Sequence, residues 1–149
     1  MDVSRIFLKT ANSLLSAVIV LFLVVAGAYS AYALWDNMQV YASVDDIQSQ
    51  LLKYKPTPGE DNGPTFEELR AINPDVCAWI TLDGTKIDYP VLQGEDNLTY
   101  INKDVYGNFA LAGSIFLDSN CDRSFQEKYS LLYGHHMAEH KMFGDLDLY

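Results

Sequence analysis

Cysteine is scarce in this chain of 149 residues: only Cys77 and Cys121 are present, too few for a disulfide framework. An exported pair can still close one bridge, and for Cys77, within "DVCAWI", the plainer reading is a small buried strand residue. Positive charge is also scarce. Ten Lys and Arg stand against twenty Asp and Glu, a formal net charge of −10. There is no basic patch and no Gly-rich phosphate cradle, so such a surface repels nucleic acid and no nucleic-acid partner is expected. Internal repeats are absent, and nothing in the pattern calls for a cofactor or a resident metal.

One stretch lacks charge of either sign. From Thr10 to Trp35 no side chain is charged, and "LLSAVIVLFLVVAGAYSAYAL" (Leu14 to Leu34) runs for 21 residues. A helix needs about 20 apolar residues to cross the hydrocarbon core, and it satisfies its own backbone groups there. A cleavable signal peptide is the competing reading, with "AYA" (Ala31 to Ala33) as a possible cut, but the apolar run is too long for one. A buried soluble helix would show a polar stripe, which this one lacks. The expectation is an anchor at 11–35 in the membrane lipid, with 1–10 cytoplasmic. Arg5 and Lys9 precede the span and Asp36, Asp45 and Asp46 follow it, which places the rest of the chain outside a plasma membrane crossed once. Tyr29, Tyr32 and Trp35 suit the outer interface. The exterior segment keeps eight of the ten basic and nineteen of the twenty acidic residues, a net charge of −11.

Residues 36–63 read as a juxtamembrane helix followed by a linker. Val40, Val44, Ile47 and Leu51 recur at helical spacing, and "KPTPGEDNGP" (Lys55 to Pro64) then breaks the pattern. Thr65 and Glu68 have the spacing of a capping box, and Pro74 ends the short helix it would open. "CAWITL" and "KIDYPVLQ" read as strands joined at Asp83-Gly84-Thr85, with Pro90 expected at an edge or bulge because it has no ladder donor. "GSIFLD" (Gly113 to Asp118) and "YSLLYG" (Tyr129 to Gly134) are further short strands. Met142, Phe143, Leu146 and Tyr149 fall at helical spacing. Short strands separated by turns predict a mainly β fold, a barrel or sandwich with short helices inserted.

The three histidines, His135, His136 and His140, lie within six positions. His135 follows a strand and a glycine, where a side chain projects from a rigid edge into a cleft and an imidazole can exchange a proton near neutral pH. The plain alternative is an exposed loop histidine. His136 and His140, four apart with Glu139 beside them, would share a helical face as metal ligands, although they do not form a His-Glu-x-x-His motif and Gly134 points to a loop.

"NPDVCAWITLDGTKIDYPVLQGEDNLTYINKD", "GSIFLD", "LLYGHHM" and "MFGDL", in this order and spacing, resemble the class B sortases. The likeness covers roughly Pro64 to Tyr149 and implies that 64–149 is the N-terminal part of a sortase-like β-barrel. It further implies a membrane-anchored cysteine transpeptidase of Gram-positive bacteria. In that chemistry a thiolate attacks the carbonyl after a threonine in an Asn-Pro-x-Thr-like sorting signal of a surface protein. A peptidoglycan cross-bridge amine then releases the acyl-enzyme. Nucleophile, general acid and oxyanion stabiliser are separate tasks. By position His135 matches the catalytic histidine, whereas His136 and His140 match no catalytic position and read as exposed loop residues.

The family's nucleophile lies in a Thr-Leu-x-Thr-Cys block downstream of the histidine, and its arginine lies further on; neither block occurs in these 149 residues. Cys77 and Cys121 lack the matching context, and Arg123 near Cys121 does not by itself make an active site. The sequence therefore predicts a catalytic domain truncated before its nucleophile, inactive alone and marginally folded. Trp79, Ile80, Ile115 and Phe116 are expected to lose part of their burial. The competing function is a membrane-tethered, non-catalytic binding or assembly module that accepts a partner's strand on its open edge.

Overall fold

The computed structural model describes residues 3–56 and 64–148. It divides into two compact units, Met1–Gln39 and Val40–Tyr149. Helix α1 (Val3–Leu51) contains no proline, and its apolar stretch carries Gly27 as the only residue without a side chain. It is the one helix among the described residues long and apolar enough to cross a bilayer, and none of its most apolar window is buried, with Phe22 70% exposed.

The second unit begins inside α1. Val44 and Leu51 are buried there and Ile47 packs beside them, so the three-and-four spacing read from the sequence turns one stripe of the helix into core. A 3-10 turn, Leu52–Tyr54, closes the helix. Lys55 then pairs with Asp88 at 2.8 Å, and Asp88 also accepts from the indole of Trp79 and the hydroxyl of Thr81. The linker from Thr57 to Gly63 lies outside the described residues, as does the side chain of Thr65 and with it the capping box.

Helix α2 (Pro64–Ile72) opens on proline, whose missing N–H is one of the unpaired donors of a first turn in any case. Phe66 and Leu69, three apart, bury one face. It stops before Asn73, since a residue preceding proline is pushed out of the helical region. Strands β1 (Val76–Thr81) and β2 (Asp88–Leu92) pair antiparallel, with a bulge between Val76 and Ala78. The turn between them uses Gly84 at φ +79°, a conformation that glycine adopts without steric cost.

β3 (Ile115–Leu117) joins β2 in parallel and β4 (Leu132–Tyr133) joins β3 antiparallel, giving the order β1-β2-β3-β4. A parallel neighbour requires a crossover, and the segment 93–114 supplies it. Alternation along the strands separates two cores. Val91, Ile115 and Leu117 face one with Val44 and Phe143, while Leu92 and Phe116 face the other with Leu51, Phe66 and Leu69. β5 (His136–Met137) and β6 (Lys141–Met142) form a small hairpin, followed by a 3-10 helix at Gly144–Leu148.

Among the described residues the sheet is open and closes no barrel, with strands of 6, 5, 3, 2, 2 and 2 residues beside helices of 49 (α1) and 9 (α2). Several local expectations need correction. Pro90 sits in an interior strand; β3 pairs only with Val91 and Leu92, so on that side Pro90 is beyond the ladder and forfeits no bond. Ile115 and Phe116 are buried, at 1% and 4% exposure, because β3 is interior and covered on both faces, whereas Trp79 and Ile80 stay half-buried. Met142 belongs to a strand rather than a helix. The Phe143 amide donates to the His135 carbonyl and fixes the hairpin, and only at Gly144 does the chain turn into 3-10 geometry. Tyr149 lies outside the described residues.

Candidate functional site

Among the described residues β4 is an edge strand, and Gly134 carries the chain from it to His135. A Cβ at Gly134 would stand 2.3 Å from Cδ1 of Ile115 and 3.0 Å from Cδ2 of Phe143, so the backbone passes directly over the core here. His135 is thereby placed at the rim of a fixed scaffold. Its carbonyl accepts from Phe143 at 3.0 Å, and its Nε2 lies 2.9 Å from the carbonyl oxygen of Ile101. A carbonyl only accepts, so Nε2 carries the proton. The ring is exposed, yet it lines a cleft with Asn97, Ile101, Phe116, Tyr133 and Gly134.

One carboxylate organises the wall of that cleft. Asp118, just past β3, accepts from Asn97 Nδ2 at 2.8 Å and from the Tyr133 hydroxyl at 3.0 Å. The backbone N–H of Asn120, first, and its side chain hold the Asp118 carboxyl below the usual range, so it stays ionised. The same carboxylate pushes the Tyr133 phenol upward, since donating to an anion favours the neutral phenol. Asn97 is fixed at both ends, because its Oδ1 accepts the Ser119 amide at 2.7 Å. The Tyr133 ring packs against Phe116, centroids 5.4 Å apart. Asn97, Ile101, Phe116, Tyr133 and Asp118 were not legible as site residues; the only signal was the Asn- and Asp-rich loop after β2 and the aspartate closing "GSIFLD".

The other histidines point elsewhere. His136 Nε2 meets Asp147 at 3.0 Å, both exposed, and His140 Nδ1 meets Asp145. Asp145 is buried and also accepts the Lys86 amide at 2.6 Å. That amide, and after it His140, hold its carboxyl below the usual range. Each histidine thus has its own aspartate, and no set of three His, Cys, Asp or Glu side chains is gathered as a metal cluster among the described residues. Both cysteines are free. Cys77 is half-buried in β1, donates to the Val91 carbonyl at 3.3 Å, and burial pushes its thiol up to about 11 despite the nearby Arg123 guanidinium. Such a thiol is a poor nucleophile at neutral pH. Arg123 donates to the carbonyls of Pro74 and Val76, which ties it to the start of β1. Neither cysteine lines the His135 cleft. The geometry offers an oriented imidazole, a group able to exchange a proton near neutral pH, beside an aromatic and amide wall.

Comparison with known proteins agrees with the resemblance read from the sequence. No protein-family model matches the chain. It is 33% identical to Sortase B of Staphylococcus aureus over 143 residues, which is 96% of this chain and 57% of that protein. The crystal structure of sortase B from B. anthracis is similar at a TM-score of 0.68 and 33% identity, over 74% of this chain and 55% of the other. A Streptococcus pyogenes class B sortase involved in pilus biogenesis is 55% identical at a TM-score of 0.55, over 59% of this chain and 48% of that one. The chain spans about half the length of the curated relatives it matches.

Proposed function

We propose, from the premise that this chain is class B sortase-like, that it supplies the proton-transfer half of a cysteine transpeptidase active site. In this reading a surface protein bearing an Asn-Pro-x-Thr-like sorting signal lies in the cleft lined by Asn97, Ile101, Tyr133 and His135. His135 protonates the amine that leaves when a thiolate has attacked the threonyl carbonyl, and later takes a proton from the peptidoglycan cross-bridge amine that resolves the acyl-enzyme. The observation that carries the reading is the placement of His135: it follows edge strand β4, lines the cleft, and is bonded through Nε2 to Ile101. The anchor proposed at 11–35 would hold this site on the outer face of the membrane, where sorting signals and cell-wall amines meet.

The nucleophilic thiol and the oxyanion-stabilising guanidinium of that chemistry have no counterpart among Cys77, Cys121 and Arg123. Cys77 is half-buried with its thiol pushed up to about 11, and Arg123 is occupied by backbone carbonyls. The 149-residue chain alone is therefore proposed to be inactive. Incubation of the purified chain with a fluorescence-quenched sorting peptide tests this; no cleavage is expected, and turnover abolished by a thiol reagent would overturn it.

A second reading rests on the outer edge of β4, which has no ladder partner among the described residues and is flanked by exposed Tyr129 and Leu131. A non-catalytic module would use that edge to take up a partner's strand. In that case His135→Ala would leave partner binding unchanged.

A further inference from the structure

We infer that the backbone carbonyl of Ile101 is the positioning group for His135, and that Gly113 is what allows that carbonyl to stand where it does; the inference rests on the reading of His135 as the proton-transfer residue. The acceptor has no proton to give, so the bond at 2.9 Å keeps a proton on Nε2 in both charge states of the ring. Nδ1 has no hydrogen-bond partner among the described residues, which leaves it as the nitrogen that gains and loses a proton. Which ring nitrogen works is set by the bond the other one makes.

The carbonyl is held by a strapped frame. Ser114 donates to the Tyr100 carbonyl at 3.1 Å, Ala110 to the Asn102 carbonyl at 2.9 Å, and Gly113 to the Ala110 carbonyl at 2.9 Å. Tyr100 is buried, and its hydroxyl donates to Asp75 at 2.7 Å. The segment 100–102 is therefore laced to 110–114, immediately before β3. At the crossing point a Cβ on Gly113 would stand 2.3 Å from the Ile101 oxygen and 2.6 Å from the Tyr100 oxygen. Gly113 also has φ +58°. The obstruction is backbone, so no side-chain rotation relieves it. Any larger residue at 113 must displace the oxygen that orients the imidazole. Gly107, in the same crossover at φ +81°, has nothing within 4 Å of the corresponding Cβ position, so it shares the backbone demand without the obstruction.

The test is NMR on the full chain in detergent micelles with 15N-labelled histidine. Wild-type His135 should show a single neutral tautomer with the proton on Nε2, and an Nε2–H resonance protected from exchange with water. Gly113→Ala should lose that protected resonance and mix its tautomers. His136 and His140, each tied to its own aspartate, should keep their signals and report an intact fold. Gly107→Ala should retain the His135 signal. A folded Gly113→Ala protein with the His135 resonance unchanged overturns the inference. So does a wild-type His135 that carries its proton on Nδ1 or exchanges freely, and this second readout decides the matter even if Gly113→Ala does not fold. The acid–base reading fails separately: an ordered Nε2–H in a protein whose His135→Ala variant still supports turnover, once a nucleophile-bearing fragment is added, would remove the catalytic role and leave the positioning intact.

Discussion

Replacing Gly134 with alanine should destabilise the exterior unit through one identifiable collision. The new methyl would stand 2.3 Å from Cδ1 of Ile115, a side chain only 1% exposed, and 3.0 and 3.1 Å from two ring carbons of Phe143. Carbon atoms normally rest about 3.5–4.0 Å apart, so one side of this core must move by more than about 1 Å. Gly134 is not among the residues with positive φ, and the backbone alone would accept alanine with a gain of ~0.4–1 kcal/mol from a less disordered unfolded chain. Forcing extra volume into a packed core costs ~1–3 kcal/mol, so the collision wins and the net loss should be ~1–2 kcal/mol. Urea unfolding followed by Trp79 fluorescence in a Trp35→Phe background measures it. Ile115→Val removes Cδ1; by itself it should cost ~0.5–1.5 kcal/mol, but together with Gly134→Ala the losses should add up to less than their sum by about 1 kcal/mol. A Gly134→Ala protein as stable as its parent, or a double variant with strictly additive losses, would refute the claim that glycine is needed here to bring His135 across the core.

Leu51→Ala should cost ~2–5 kcal/mol, since Leu51 is 3% exposed among Phe66, Leu69 and Phe116, and calorimetry of a 40–149 fragment against a 64–149 fragment should show a cooperative transition only in the first. Equal transitions would mean that the end of α1 is dispensable to the core. Asp145, whose carboxyl is held low by the Lys86 amide and His140, should contribute stability that is present above the unfolded carboxyl value and lost as the pH falls through the lower folded value. Asp145→Asn should therefore flatten the acid limb of a stability–pH profile, and an unchanged limb would contradict it. Cys77, with its thiol raised to about 11, should react with iodoacetamide at pH 8 on the order of 100-fold more slowly in the folded chain than in urea, as read by mass spectrometry.

The parts of this fold that were legible in the sequence are those set by neighbours along the chain. Pro74 stops α2, Asp83-Gly84 turns the first hairpin, the uncharged run to Trp35 makes one long helix, and Gly134 precedes a histidine at a strand end. What was not legible depends on contacts across long separations. The parallel match of Val91 with Ile115 follows a crossover that no local pattern announces. Val44 and Leu51 look like a juxtamembrane stripe until the sheet they pack on is known. The helical spacing of Met142, Phe143 and Leu146 was overridden by the bond from Phe143 to His135 and by the tight passage of Gly144, whose Cβ would meet the Met137 carbonyl at 2.0 Å. In the candidate site the sequence marked His135 but not its surroundings. Asp118 gathers Asn97 and Tyr133 from segments about twenty and fifteen residues away, and a shared acceptor of that kind has no signature in the order of residues.

The central claim, that His135 is the proton-transfer residue of a sortase-type site, is tested most directly by supplying the rest of the chemistry in trans. The full chain would be mixed with a fragment of the Staphylococcus aureus relative comprising the part of that protein this chain does not span, and cleavage of a sorting peptide followed over time. Turnover that appears on mixing and falls by at least ~100-fold in His135→Ala, while His136→Ala and His140→Ala stay near the parent rate, is the predicted result. Turnover that is indifferent to His135→Ala would contradict the account.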